Sequence, residues 1–350
     1  MILLAVAAGC GREQTANAPA QQQSQPSLLP GQAAPIRKVE LAIPAAFDEA
    51  GMFNEGLAPV RQGAKFGYID SKGDSAIVPQ FDFGGKFSQG LAAAGIGSRE
   101  GYIDKHGEFV LSPQFEIADL SPFSEGLAAV RIGQYIAGKW GYIDNKGNVL
   151  IQPQFDAAGP FSSGLAVAAI GGKWGYIDRG GNVVIPLQYS SAGSFVDGLA
   201  PVRSGDLVTG KTGYIDKTGK MVIAPQFDGA FSFADGLAAV RVGTKYGFID
   251  TTGKLVIPAR FDFADSFSGP LAAFRDGNES NGKWGYVDRQ GSIAIDPQFD
   301  FADQFSKSDG LAAVRMGDEK DGKWGYIALP AAASHAGKLP SAIPDSRVGP

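Results

Sequence analysis

The chain has 350 residues, 44% of them hydrophobic, with 31 Lys and Arg against 36 Asp and Glu for a formal net charge of −5. With no basic block, that balance points away from nucleic acid as a partner. A single cysteine rules out an internal disulfide. Two histidines, His106 and His335, lack His or Cys neighbours at ligand spacing, so no zinc set and no Ser-His-Asp or Cys-His arrangement can be assembled.

The chain opens with an apolar run, Met1 to Ala8, followed by Gly9-Cys10. Ala7-Ala8-Gly9-Cys10 resembles a bacterial lipobox, with Ala7 where Leu is usual. The resemblance implies a signal over residues 1–10, lipidation of Cys10, export, and a membrane anchor. Gly11 after the cysteine agrees with an outer-membrane lipoprotein, periplasmic or surface-exposed. The apolar run is too short to span a bilayer. Residues 11–37 are rich in Gln, Ala, Ser and Pro and read as a flexible low-complexity tether.

From 38 to 328 the chain repeats itself. A Gly-[Tyr/Phe]-[Ile/Val] core recurs at Gly67, Gly101, Gly141, Gly175, Gly213, Gly247, Gly285 and Gly325, spaced by 34, 40, 34, 38, 34, 38 and 40 residues. Such a period means a repeat architecture. Within one unit, three apolar runs predict short antiparallel strands over Leu127 to Arg131, Trp140 to Asp144 and Val149 to Gln152, with Pro153 ending the last. A fourth short strand has room in Phe-Asp-x-Ala-x-x-Phe. The turn Asp144-Asn145-Lys146-Gly147 recurs with Asp and Gly in place; its carboxylate is suited to cap backbone amides two residues on, and one carboxylate per turn is too few for a calcium loop. Gly141 lets a neighbouring ring or backbone approach closely, which fits units stacking on one another.

All four tryptophans, Trp140, Trp174, Trp284 and Trp324, occupy one position of the unit. Hairpin geometry sets Arg131 opposite Trp140, Arg275 opposite Trp284 and Arg315 opposite Trp324, and likewise Arg61 opposite Phe66 and Arg241 opposite Tyr246. Three units depart: Gly95 meets Glu100, Ala169 meets Trp174, and Arg203 meets Thr212. The pairs read as cation–π clamps on the hairpin or as an aromatic and basic binding strip.

The array begins and ends out of phase. Residues 39–48 match a third strand and its exit, while the last unit stops after its second strand at Ile327. An N-terminal strand completing the last unit favours an all-β closed ring of eight small propeller-like blades; an open β-solenoid is the alternative. Residues 329–350 read as a disordered tail.

The residues Lys139 to Asp144, Lys173 to Asp178 and Lys283 to Asp288, the exit Val222 to Asp228 and the entry Phe123 to Ala128 resemble the WG-repeat family of bacterial proteins. The resemblance covers about Val39 to Ile327. It implies a β-rich, often exported array and carries no catalytic residue or cofactor. The expected function is therefore a non-catalytic binding or scaffold module, anchored to a membrane. It would present the loops Gln134 to Gly138, Ser204 to Gly210 and Asp276 to Gly282, with the Trp and Arg strip, to an envelope protein, peptide or glycan. A structural envelope spacer, or a glycan-processing enzyme using two carboxylates, is the alternative.

Overall fold

The computed structural model describes residues 36, 38–116, 120–133 and 138–331. The lipidation expected at Cys10, the tether apart from Ile36, the tail beyond Ala331 and residues 134–137 of the 134–138 loop lie outside these residues. The described chain is all-β, and its strands form eight small antiparallel sheets arranged in a ring, the architecture of an eight-bladed β-propeller.

Seven blades have four strands: the three apolar runs read from the sequence and the short one for which Phe-Asp-x-Ala-x-x-Phe has room. The addition is the segment after the exit Asp, paired for two residues in most blades: Glu49–Ala50, Phe83–Gly84, Ser191–Ala192, Gly229–Ala230, Phe263–Ala264 and Phe301–Ala302, with a longer version at Ala157–Ser162. In the third blade the described residues keep three strands, and Leu120 bridges Val130 in the place of the first. Such a short strand leaves no periodic signal in the sequence, since two residues do not make an alternation. Blades are numbered here from the one containing Lys65–Asp70 to the one containing Lys323–Ala328.

The ring closes through the N-terminus. Ile43–Phe47 pairs antiparallel with Lys323–Ala328 as the outer strand of blade 8, with Ile43 opposite Tyr326 and Phe47 opposite Trp324. Closure covers a sheet edge that an open array would expose.

Side-chain alternation explains why blades need each other. One face of blade 7 offers Leu271, Ala273, Trp284, Tyr286 and Ile295; it packs on Ala312, Val314 and Ile327 from the opposite face of blade 8. Eight such clusters occur, one for each pair of neighbouring blades. The cluster joining blade 8 to blade 1 combines Leu311, Ala313 and Tyr326 with Ala58, Val60 and Ile69. The hydrophobic core is thus interfacial, as expected of a repeat whose unit cannot bury its faces alone.

Hydrogen bonds reinforce each interface. The tyrosine of the Gly-Tyr-Ile core is fully buried and its hydroxyl donates to a backbone carbonyl of the next blade: Tyr68 to Gly85, Tyr142 to Gly159, Tyr176 to Gly193, Tyr214 to Phe231, and across the closure Tyr326 to Gly51, all at 2.8–2.9 Å. Tyr102 and Tyr286 do the same to Ser121 and Asp303. Only blade 6 lacks the hydroxyl, having Phe248.

The repeat glycine has a reason different from the expected one. A Cβ on Gly141 would lie 2.4 Å from the Ile151 carbonyl oxygen, on the outer strand of the same blade. The register slips there, from Trp140 opposite Phe155 to Tyr142 opposite Ile151, so two extra residues of the outer strand press on the glycine. The close approach is within a blade, not between stacked units. Gly325 obeys the same rule against Ile43 of the N-terminal strand, at 2.6 Å.

Candidate functional site

The two ends of the strands make two unlike ring faces. One carries the tight turns that join first to second and third to fourth strands. There Asp144 Oδ1 accepts the amides of Lys146 and Asn148, as the sequence indicated. The two-residue turns Glu55-Gly56, Gln89-Gly90 and Glu125-Gly126 have positive φ at both positions, the twist a hairpin favours. Each reaches the next: Glu55 accepts the amides of Gln89 and Gly90, and Gln89 that of Gly126. This turn face is regular and self-capped.

The opposite, hairpin face carries the hairpins between second and third strands and the exit aspartates. Each exit Asp bridges two blades. Asp82 meets Lys65 of the blade it leaves and accepts the Gly97 amide of the blade it enters. Asp262 does so with Lys245, at 2.6 Å, and Gly277; Asp48 repeats it across the closure with Lys323 and Gly63. The lysine hydrogen bond, followed by the amide, holds the carboxyls of Asp48, Asp82, Asp156, Asp228 and Asp262 below their usual range. Sequence reading missed this role because the partners are separated by 15 or more residues in units not yet arranged in space.

On this face lies the Arg and aromatic strip. Arg131, Arg275 and Arg315 stand over Trp140, Trp284 and Trp324 at 5.8–6.0 Å. The buried Nε atoms of Arg275 and Arg315 make no hydrogen bond, as befits guanidinium groups lying against rings. Trp284 is 8% exposed; Trp140, Trp174 and Trp324 are half-buried. The strip is continuous only in part. Rings run from Phe231 through Tyr246, Phe263, Trp284 and Phe301 to Trp324, with successive centroids 5.0–6.3 Å apart. Phe263 and Phe301, from the short first strands, are links that sequence reading overlooked; each sits opposite the clamp arginine, Arg275 or Arg315. Trp140 with Arg131, and Trp174, belong to blades 3 and 4, apart from this ribbon.

The unequal hairpins also emerge on this face. Blades 1, 2, 4 and 6 turn in two residues, as at Gly63-Ala64. Blade 5 has Gly205–Gly210, blade 7 Gly277–Gly282, blade 8 Gly317–Gly322, and blade 3 the 133–138 loop. The loop in blade 8 was not singled out from the sequence. In three of them an Asp or Asn folds the loop on itself: Asp206 accepts the amides of Val208 and Thr209, Asn278 those of Ser280 and Asn281, and Asp318 those of Lys320 and Asp321. The blade 5 tip leaves Leu207 and Val208 69% and 88% exposed.

Between blades 5 and 6 the face opens into a cavity of about 200 Å3, lined by Ser191, Pro201, Arg203, Thr212, Phe231 and Ser232 among others. It lies where blade 5 has Thr212 in the tryptophan position. Arg203 is not on a ring here: it donates to the backbone carbonyls of Asp206 and Asp228.

Lys307 of blade 8 reaches past blade 7 to Asp235 of blade 6 at 2.9 Å. Burial pushes the carboxyl of Asp303 on blade 8 up from the usual range; the Gln304 amide hydrogen bond partly offsets this, and the charges of Asp265 on blade 7 and Lys86 on blade 2 act in opposite directions. Among the described residues, no group of three or more His, Cys, Asp or Glu is placed to hold a metal, and no helix is long and apolar enough to cross a membrane.

No curated protein matches the chain. Among solved structures it is similar to the tricorn protease, at 11% identity over 76% of this chain and 37% of that one, with a TM-score of 0.35. It is similar to one of two prolyl endopeptidases at 11% identity, 81% and 55% coverage and a TM-score of 0.49. It is also similar to Hsv2p of Kluyveromyces lactis at 13% identity, 69% and 94% coverage and a TM-score of 0.42. The chain thus spans about half or less of the length of the two peptidase chains. The model of the WG containing repeat matches eight times, over residues 38–66, 66–98, 101–135, 140–174, 174–207, 213–246, 246–279 and 284–324, and the chain belongs to that family.

Proposed function

We propose that the ring is a non-catalytic binding or scaffold module that presents its hairpin face to a protein, peptide or cell-envelope glycan. One observation carries this reading: among the described residues, the three extended hairpins of blades 5, 7 and 8, the exposed Leu207–Val208 tip and the Arg and aromatic strip all lie on the same ring face, whereas the turn face is almost uniform. Variation concentrated on one face of a constant scaffold is the pattern of loops that carry recognition. Trp140, Trp174, Trp284 and Trp324, with Arg131, Arg275 and Arg315, supply flat apolar and cationic contact area, the residue types that dominate binding energy at interfaces.

The Ala7-Ala8-Gly9-Cys10 run supports an exported, lipid-anchored protein of the bacterial envelope. Replacing Cys10 by Ala would then abolish labelling by a radioactive fatty acid; retained labelling would remove the anchor from the proposal.

The test of the binding role is to shorten Gly205–Gly210, Gly277–Gly282 and Gly317–Gly322 to the two-residue turn of blade 1 and to compare both proteins on peptide and glycan arrays. The expected result is loss of the ligands captured by the parent ring, with thermal stability kept. An unchanged ligand set, or no ligand for the parent, would point to a spacer.

A second reading, glycan processing by a carboxylate pair, has one observation behind it: Asp265 and Asp303 on adjacent blades, the latter with a raised affinity for its proton. Asp303→Asn should leave capture by the hairpin face intact; glycan cleavage by the parent that this variant loses would favour the enzyme.

A further inference from the structure

The cavity between blades 5 and 6 is a tryptophan seat without its tryptophan. In blade 7 the indole of Trp284 occupies the space between its own first strand, at Phe263, and that of the next blade, at Phe301, under the Arg275 guanidinium. Blade 8 repeats this with Phe301, Arg315 and Trp324. Blade 5 keeps the arginine, Arg203, opposite Thr212 in the same register. It replaces the three bulky neighbours by Ser191 on its own first strand, Thr212 in the tryptophan position and Gly229 on the next blade. The vacated space is the cavity, lined by Ser191, Arg203, Thr212 and, at its far side, Phe231. Phe231 begins the aromatic ribbon through Tyr246 and Phe263. Thr212 is 6% exposed.

Among the described residues, no side chain fills this seat. We propose that the cavity binds a planar aromatic side chain of a peptide partner, which takes in trans the position the tryptophans take in cis. The ring stacks beneath Arg203, whose carbonyl partners leave its face available, and packs edge-on against Phe231, extending the ribbon by one member. Ser191 and Thr212 offer hydroxyls at the rim to an indole N–H or a phenol. The Leu207–Val208 tip is held beside the mouth by the Arg203 bonds to the Asp206 and Val208 carbonyls, and covers apolar residues flanking the aromatic one. This rests on the binding role proposed above and names one ligand class for it.

The test uses the whole protein with two capped pentapeptides of Gly, identical except for a central Trp or Leu, and hexanoate as a carboxylate without a ring. Binding is followed by ligand-observed NMR and calorimetry. The Trp peptide should bind saturably at low-millimolar concentration or better, the Leu peptide at least about tenfold more weakly, and hexanoate not at this site. Thr212→Trp installs the residue that four other blades accommodate, so it should fold with an unchanged or raised melting temperature and lose the Trp peptide. Arg203→Met should weaken it roughly 2- to 30-fold, the range of one cation–π contact. Equal binding of the Trp and Leu peptides, no saturable binding of the Trp peptide, unchanged binding by Thr212→Trp, or hexanoate displacing the Trp peptide would each overturn the proposal. Capture of a partner through the long hairpins that survives Thr212→Trp would overturn it while leaving the broader binding role standing.

Discussion

At the scale of the residue, the tyrosine of each unit is the clearest link between one side chain and the ring. It is fully buried, its ring packs on a phenylalanine of the next blade, as Tyr142 does on Phe161 at 4.9 Å, and its hydroxyl donates to a backbone carbonyl of that blade. A hydrogen bond of this kind contributes about 1 kcal/mol, and an orphaned buried carbonyl costs as much or more. Tyr142→Phe should therefore lower stability by about 1–2 kcal/mol in a denaturant titration. Phe248→Tyr should raise it by about 1 kcal/mol, because Tyr286 already makes the same bond to an Asp carbonyl in the next unit. A loss in Phe248→Tyr would mean that blade 6 has no room for the oxygen. Burial also sets the alkaline limit. Desolvation raises the phenols of Tyr68, Tyr102, Tyr142, Tyr176, Tyr214, Tyr286 and Tyr326 above their usual 10.0. The unfolded chain loses these protons above pH 10 and the folded chain keeps them, so stability is whole below pH 10 and falls steeply as pH rises beyond it. The exit aspartates act with the opposite sign: their contribution is present above the usual 3.8 and is lost as pH falls through the lowered folded values. Melting temperature against pH should show both limbs, and a flat alkaline limb would contradict the burial of the phenols.

At the scale of the element, the repeat glycine decides whether a blade can have its outer strand. The Cβ of an alanine at Gly141 would sit 2.4 Å from the Ile151 oxygen and 2.8 Å from the Pro153 nitrogen, both backbone atoms that cannot swing away. Gly141→Ala should destabilise by about 3 kcal/mol, the upper part of the range for overpacked sites, and should be seen as early loss of amide protection in Val149–Phe155. The sequence made the glycine conspicuous but not its reason. The Trp-Gly-Tyr alternation and the Asp-x-x-Gly turn are local patterns, so the third strand and its turn were legible residue by residue. The crowding at Gly141 depends on a register slip between strands, which no alternation announces. The exit aspartates, Asp82 and Asp262, were equally visible and equally mute, since their role is defined by a lysine and an amide on two different blades. The seat between blades 5 and 6 follows the same logic. Thr212 was plain as a departure from Trp, but the cavity also needs Ser191 from the same blade and Gly229 from the next, and only the ring brings those together.

At the scale of the whole molecule, the phase offset between the two ends of the array was the legible signal of closure, and the ring bears it out through Ile43–Phe47. Closure makes blade 8 depend on residues some 280 positions away. Ile43 and Phe47 are 3% and 5% exposed in the cluster that joins blade 8 to blade 1. Burial of two such side chains is worth about 3–6 kcal/mol. A chain starting at Asp48 keeps the Lys323 and Gly63 contacts of that residue but leaves the outer edge of Lys323–Ala328 bare. Its stability should fall by at least that amount, and the bare edge should drive concentration-dependent association by strand pairing. A permuted chain in which residues 41–47 follow Ile327 through the Asp-Asn-Lys-Gly turn of blade 3 restores the strand without restoring its place in the chain. It should recover the melting temperature and the monomeric state in sedimentation. Truncation without effect, or a permutant no better than the truncation, would mean that the eight interfacial clusters hold the ring without this strand.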